Sequence, residues 1–110
     1  CGANLTDASG AASFRQANLI GASLAGADLG ADFASALLIR AYCREAILIG
    51  SFAGADLSRA DLRQADLADA SFEGADLEGA DLTGADVEEA QLQQAASLRG
   101  AIMPDGTEHR

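Results

Sequence analysis

The sequence contains no lysine and no tryptophan, and only one tyrosine, one histidine and one proline among 110 residues. Because lysine is absent, seven arginines are the only permanently basic side chains, and against 17 acids they leave a net charge of −10. A chain of this charge repels nucleic acid and anionic membrane surfaces. We therefore expect neutral or basic protein partners and no direct contact with nucleic acid.

Residue sets that support catalysis or metal binding are also scarce. His109 stands next to the last residue, and Cys1 and Cys43 form neither a CxxC motif nor a metal-ligand spacing. No Ser-His-Asp set and no glycine-rich phosphate loop is present. No apolar run approaches the ~20 residues of a membrane-spanning helix. These absences predict a protein that is not an enzyme, uses no cofactor or metal, and does not insert into a membrane.

The chain has instead a five-residue repeat, which matches neither the helical period of about 3.6 nor the strand period of 2. In residues 55–94 each unit begins with Ala, usually continues with Asp, and has a large apolar residue in third place. A short extended piece followed by a turn, used once per unit, satisfies this period. The third-place residues, predicted to point inward, are Leu57, Leu62, Leu67, Phe72, Leu77, Leu82, Val87 and Leu92.

These units resemble the pentapeptide-repeat family, whose consensus is A(D/N)LXX, over roughly residues 3–103. The resemblance implies an all-β fold, a right-handed quadrilateral β-helix of about five coils with four pentapeptides per coil. Residues 1–103 are then a single solenoid. Pro104 and the turn pair Asp105-Gly106 are predicted to end it, which leaves residues 104–110 as a C-terminal turn and tail.

The spacing of the four phenylalanines tests this implication. They stand at positions 14, 33, 52 and 72, so each interval equals four units of five or falls one position short of it. We predict that they form one inward column, continued by Leu92. Cys43 replaces leucine in another inward column and is predicted to be buried and unreactive. The repeated Asp side chains are predicted to accept hydrogen bonds from backbone N–H groups at the corners.

The competing interpretation concerns residues 32–46, which can also be drawn as an amphipathic helix capped by Asp32. A helical insertion would have no reason to preserve the regular phenylalanine spacing across it. We therefore prefer the solenoid throughout.

Departures from the repeat at outward positions indicate candidate interaction surfaces. Apolar residues at such positions predict a partner-docking patch, which consists of Ile20, Leu37, Ile39, Tyr42, Ile47 and Ile49. Acidic residues are concentrated in residues 55–90, which carry a net charge of −9. The predicted acidic face comprises Asp56, Asp61, Asp66, Asp76, Glu78, Asp81, Asp86, Glu88 and Glu89.

Three functions remain open from the sequence. The first is a rigid module that docks another protein through the apolar patch, with end-to-end or side-by-side oligomers as an option. The second follows from family members that protect DNA gyrase as acidic mimics of DNA, although those proteins are about twice as long and dimerise through a C-terminal element. The third, also implied by the resemblance because family members occur in the thylakoid lumen, is a subunit or accessory protein of a photosynthetic or thylakoid-lumen assembly. The resemblance accordingly favours the bacterial cytoplasm or the thylakoid lumen of a plastid as the compartment.

Overall fold

The computed structural model describes residues 9–108. Its regular elements are short: β1 (Ser9–Ser13), β2 (Asp28–Asp32), β3 (Ile47–Ser51), β4 (Ala70–Ser71) and a single helical turn, α1 (Glu89–Leu92). The strands form one parallel sheet in the order β1-β2-β3-β4, which is also the order of the chain. Strands that follow each other in the chain are therefore neighbours in the sheet. The molecule measures 32 × 23 × 22 Å along its principal axes.

Parallel backbone pairing continues outside the sheet in isolated bridges. Leu37 pairs with Asn18 and with Asp56, at equal intervals before and after it, and Tyr42 pairs in the same way with Ser23 and Asp61. These intervals match the spacing of the first three phenylalanines, close to four five-residue units, as predicted. The described chain is a stack of layers. Repeat units form backbone hydrogen bonds to the equivalent units of the adjacent layers.

Turns separate the paired positions within each layer. The Ala60 N–H donates to the Leu57 carbonyl at 3.0 Å, and Arg59, the second of the two residues between them, has φ of 60°. A bond from residue i+3 to residue i, with positive φ at the third residue, is the pattern of a type II turn, which favours glycine there. Gly79 fills the equivalent corner one layer later, at φ of 70°. The chain thus accepts arginine at a corner where a glycine would be less strained.

Aspartate at the second place of the unit caps these turns, as predicted. Oδ1 of Asp56 accepts the N–H of Ser58 at 3.0 Å, and Oδ1 of Asp76 accepts the N–H of Glu78 at 2.9 Å. Asn18 and Ser51 form the same bond to the residue two places on, at 3.2 and 3.1 Å. The repeated polar residue therefore belongs to the scaffold, since it satisfies a backbone donor that the ladder leaves free.

The core is the stack of first-place alanines and third-place large residues. Phe33, Phe52 and Phe72 are at most 1% exposed, and rings adjacent in the column, from Phe14 to Phe72, lie 4.8–5.3 Å apart with planes within 12° of parallel. The predicted phenylalanine column is confirmed, and Leu92 is buried as expected. No polar or charged side chain is buried among the residues that the structure describes.

Helix was considered for one region of the sequence and is found in another. Residues 32–46 contain bridges and turns and no helix, so the amphipathic-helix interpretation is wrong. The all-β prediction needs a correction at α1, where the coil was expected to continue. Gln91 explains this helical turn: its Oε1 accepts the Glu88 N–H at 2.8 Å, and its Nε2 donates to the carbonyls of Leu67 and Ala70 at 2.9 and 2.7 Å.

The helical turn lengthens its layer. Asp76 pairs with Asp56 before it and with Ser97 after it, and the second interval along the chain is one position longer than the first. After Ile102 the chain reverses, because the Gly106 N–H donates to the Met103 carbonyl and Ile102 pairs antiparallel with Glu108. The predicted break at Pro104 thus coincides with a turn. Cys1 and His109 lie outside the described residues.

Truncating one inward leucine should destabilise the stack strongly. Leu62 is fully buried, so Leu62→Ala should lower the free energy of unfolding by about 2–4 kcal/mol, through lost burial and the cavity left behind. The control is Leu37→Ala, at a leucine that is 38% exposed, where the loss should stay below about 1 kcal/mol. Urea denaturation measures both, and equal losses would contradict the assignment of inward and outward positions.

The Cys43 thiol should not react with alkylating reagents while the protein is folded. Burial, with a smaller contribution from the Asp61 carboxylate, raises its pKa from 9.0 to about 12, so almost no thiolate is present at pH 8. In a Cys1→Ser background, mass spectrometry should find no iodoacetamide adduct on the folded chain and one adduct in denaturant. Modification of the folded chain at the same rate as the denatured chain would refute this.

Candidate protein-interaction surface

The exposed large hydrophobic residues of the described chain lie in one layer. Tyr42 is 55% exposed and Ile49 is 44% exposed, followed by Leu37 at 38% and Ile47 at 37%. We call these four residues the apolar band. The other two residues of the predicted docking patch, Ile20 and Ile39, are partly buried and less exposed than these four. The structure therefore concentrates the outward apolar surface in residues 37–49.

The band does not lie on a single side of the stack. Leu37, Tyr42 and Ile47 occupy the second place of three consecutive units and belong to three different ladders. The Ala41 N–H closes a turn on the Leu38 carbonyl between the first two of them. The docking patch predicted from the sequence thus extends around the turns onto several sides of the stack, and it does not form one flat face.

Three residues of the apolar band stand where their neighbours above and below have a polar side chain. Asn18 and Asp56 flank Leu37, Ser23 and Asp61 flank Tyr42, and Asp28 and Asp66 flank Ile47. Because neither Leu37 nor Tyr42 has an acceptor atom close to its Cβ, as Asp, Asn and Ser do, the N–H groups of Ile39 and Arg44 have no hydrogen-bond partner among residues 9–108. This layer has exposed apolar side chains in place of turn caps.

Four arginines border the ladder of Tyr42. Arg40 and Arg59 occupy the corner before it in two successive layers, and Arg44 and Arg63 follow it in the same two layers. The Cγ of Arg59 lies 3.2 Å from the position that a Cβ would take at Gly79, so its stem packs over the next corner. Sequence reasoning missed this group, although each pair repeats at the same interval as the first three phenylalanines.

Only one of the four arginines is paired with a carboxylate of the described chain. Nε and Nη2 of Arg63 donate to the two carboxylate oxygens of Asp61 at 2.9 Å each, and Nε lies 3.9 Å from Oδ2 of Asp81. The Arg63 hydrogen bond is the main reason that the pKa of Asp61 lies below its usual value, and Arg44 contributes to it electrostatically. Arg40, Arg44 and Arg59 form no ion pair with any residue between 9 and 108.

The predicted acidic residues are also distributed over several ladders. Asp61 pairs with Asp81 along one ladder and Asp66 with Asp86 along another, so neighbouring carboxylates are separated by one strand spacing of about 4.8 Å. Between residues 9 and 108, no three His, Cys, Asp or Glu side chains converge as a metal site would require. Residues 64–89 hold nine acids and no arginine, which makes these layers a strongly negative belt beside the apolar band.

A shallow groove of about 380 Å³ lies at the C-terminal end, a feature that the sequence did not indicate. Val87, Leu92, Met103 and Pro104 form its apolar lining, and Glu89, Asp105 and Thr107 complete it. The Asp105 carboxylate already accepts hydrogen bonds from the Thr107 hydroxyl and N–H, which hold its pKa below the usual value.

Within residues 9–108, no helix has both the length and the apolar composition of a membrane-spanning segment.

The amino-acid sequence matches a known protein family. The Pentapeptide repeats family matches residues 11–29, 30–64 and 60–95, in 8 copies. None of the curated proteins matches the chain.

Three solved structures of pentapeptide repeat proteins are similar to this chain. HetL, involved in heterocyst differentiation regulation in the cyanobacterium Nostoc sp. strain PCC 7120, is 32% identical, with a TM-score of 0.39. The match covers 99% of this chain and 65% of HetL, so the chain spans less than two thirds of that protein. A protein of the Arabidopsis thaliana thylakoid lumen is 29% identical, with 84% and 68% coverage and a TM-score of 0.43. Rfr23 of the cyanobacterium Cyanothece 51142 is 23% identical, with 93% and 88% coverage and a TM-score of 0.43.

The repeats match most of the chain between residues 11 and 95. Its stacked layers have the alternation of alanine, turn-capping aspartate and inward leucine that such repeats supply. The chain belongs to the pentapeptide-repeat family.

Proposed function

We propose that this chain is a non-enzymatic interaction module, a rigid right-handed four-sided solenoid of about five coils that docks another protein through its apolar band. The support comes from one observation. Leu37 and Tyr42 stand at positions where the layers above and below have asparagine, serine or aspartate, and this substitution leaves two turn amides without a cap from the described chain.

This arrangement is costly for a protein selected only for stability. A net hydrogen bond contributes roughly 0.5–1.5 kcal/mol, and an exposed tyrosine gains little from burial in the free protein. Scattered surface apolar residues are common. Here, however, the four exposed large hydrophobics are confined to residues 37–49 of the described chain, which favours a surface that becomes buried in a complex.

The test restores the repeat pattern in this layer. Leu37→Asn with Tyr42→Asn places a turn cap where Asn18 already accepts the Ile20 N–H at 3.2 Å. The double variant should melt at or above the temperature of the wild type, since each new cap offsets lost apolar contact. As bait in affinity capture from the native source, it should lose the proteins that the wild type retains.

The matched control is Ala68→Asn with Ala96→Asn, at two exposed alanines outside the band. It should retain the same proteins as the wild type. Identical protein sets from the band variant and the wild type would refute docking through the band.

A second candidate is an acidic DNA mimic that binds a type II topoisomerase. Residues 64–89, with nine acids and no arginine, favour this candidate because clustered negative charge competes for sites that hold phosphates. The charge occupies part of the chain, whereas DNA is charged along its whole length.

The mimic hypothesis predicts that the purified chain inhibits supercoiling by gyrase, measured by gel electrophoresis of plasmid. Asp76→Asn, Glu78→Gln and Asp81→Asn together should abolish the inhibition, because they remove charge while the amides at positions 76 and 81 still cap their turns. The band variant should inhibit like the wild type. Unchanged supercoiling with the wild-type chain, with or without a fluoroquinolone, would eliminate this candidate.

A further inference from the structure

The apolar band lies in a stretch of the chain where arginines outnumber acids. Residues 37–63 contain four arginines and three acids, for a local net charge of +1, whereas residues 64–89 carry −9. One of the three acids in residues 37–63, Asp61, forms an ion pair with Arg63 at 2.9 Å, which compensates its charge. The surface around Tyr42 therefore has the opposite sign to the molecule as a whole.

Three guanidinium groups in this region are available to bind an external anion. Arg40, Arg44 and Arg59 are exposed and make no ion pair within residues 9–108. Arg40 and Arg44 lie two residues either side of Tyr42, which is 55% exposed. Guanidinium groups bind carboxylates through paired, charge-assisted hydrogen bonds, so an apolar anchor here is bordered by carboxylate receptors.

The uncapped turns add backbone donors to the same layer. The N–H groups of Ile39 and Arg44 lack an acceptor among residues 9–108. In the next layer along the chain the equivalent turn donors, at Ser58 and Arg63, are satisfied by the aspartates Asp56 and Asp61. A carboxylate from outside would complete the pattern that the chain itself leaves open.

We propose that the segment that docks on the apolar band is an acidic stretch of a partner protein. It places an apolar side chain against Tyr42 and carboxylates on Arg40, Arg44 and Arg59. This inference rests on the proposed function, because it names the chemistry of the partner at the same surface. A short acidic peptide fits better than nucleic acid, since a polyanion needs many consecutive contacts and would meet the negative belt of residues 64–89.

The experiment selects binders from a yeast-displayed library of random peptides. The baits are the wild type, the band variant Leu37→Asn/Tyr42→Asn, and the triple variant Arg40→Gln/Arg44→Gln/Arg59→Gln. Glutamine is tolerated at the corner positions because Gln16 and Gln64 already adopt φ of 59° and 60° at such corners. The control Arg15→Gln/Arg99→Gln removes two arginines away from the band, and circular dichroism verifies the fold of each bait.

Peptides selected on the wild type should be enriched in Asp and Glu relative to the input library. The triple variant should bind them roughly tenfold more weakly, with the control unchanged. Peptides that require Leu37 and Tyr42 but show no excess of acid would overturn the inference and leave the proposed function intact. Peptides that bind the band variant as well as the wild type would contradict both.

Two further outcomes would assign the surface to another occupant. Arginine-dependent self-association of the wild type in analytical ultracentrifugation would identify the occupant as the acidic belt of a second copy. A single-stranded DNA oligonucleotide that binds more tightly than the selected peptides, with the same arginine dependence, would identify nucleic acid. Either result overturns the proposal of an acidic partner protein.

Discussion

The backbone hydrogen bond between one layer and the next is the interaction on which the rest of the structure depends. It requires the chain to return to the same place after about four repeat units, as Leu37 does between Asn18 and Asp56. This return is only feasible if every turn closes in the same way and every inward residue fits above its equivalent. Alanine, leucine and the stacked phenylalanines meet the second condition. Glycine or a strained residue such as Arg59 at the corner meets the first.

Because these conditions repeat, most of the fold could be predicted from the sequence. The phenylalanine column, the burial of Cys43 and the turn-capping aspartates all follow from position within a five-residue unit. The helical turn Glu89–Leu92 could not be predicted in this way. It depends on bonds from the Gln91 side chain to the carbonyls of Leu67 and Ala70, which belong to the preceding layer and lie far from Gln91 along the chain.

The candidate site, too, could be predicted only in part from the sequence, because some of its residues come together only through stacking of the layers. Exposed Leu37 and Tyr42 break the repeat and are found by inspection of a single unit. The arginines around Tyr42 become a group only when successive layers are stacked, as Arg40 over Arg59 and Arg44 over Arg63. Composition alone predicts a basic partner, since the net charge is −10. Composition does not show which residues are stacked on one another, and this stacking register is what brings the arginines together.

Distance decides which charge a docked partner experiences. A carboxylate about 4 Å from Arg44 gains roughly 4 kcal/mol at the effective dielectric constant of a protein surface, before desolvation. Asp81 lies two layers from Tyr42, about 10 Å at the usual strand spacing, which exceeds the Debye length of about 8 Å at physiological salt. Asp61 is nearer, but its charge is compensated by Arg63. Contact around Tyr42 is therefore governed by the arginines. At Ile47, in contrast, Asp66 of the negative belt lies only one layer away. The rest of the belt acts mainly on approach, where it slows association with acidic molecules. A partner that is acidic only along a short segment satisfies both conditions.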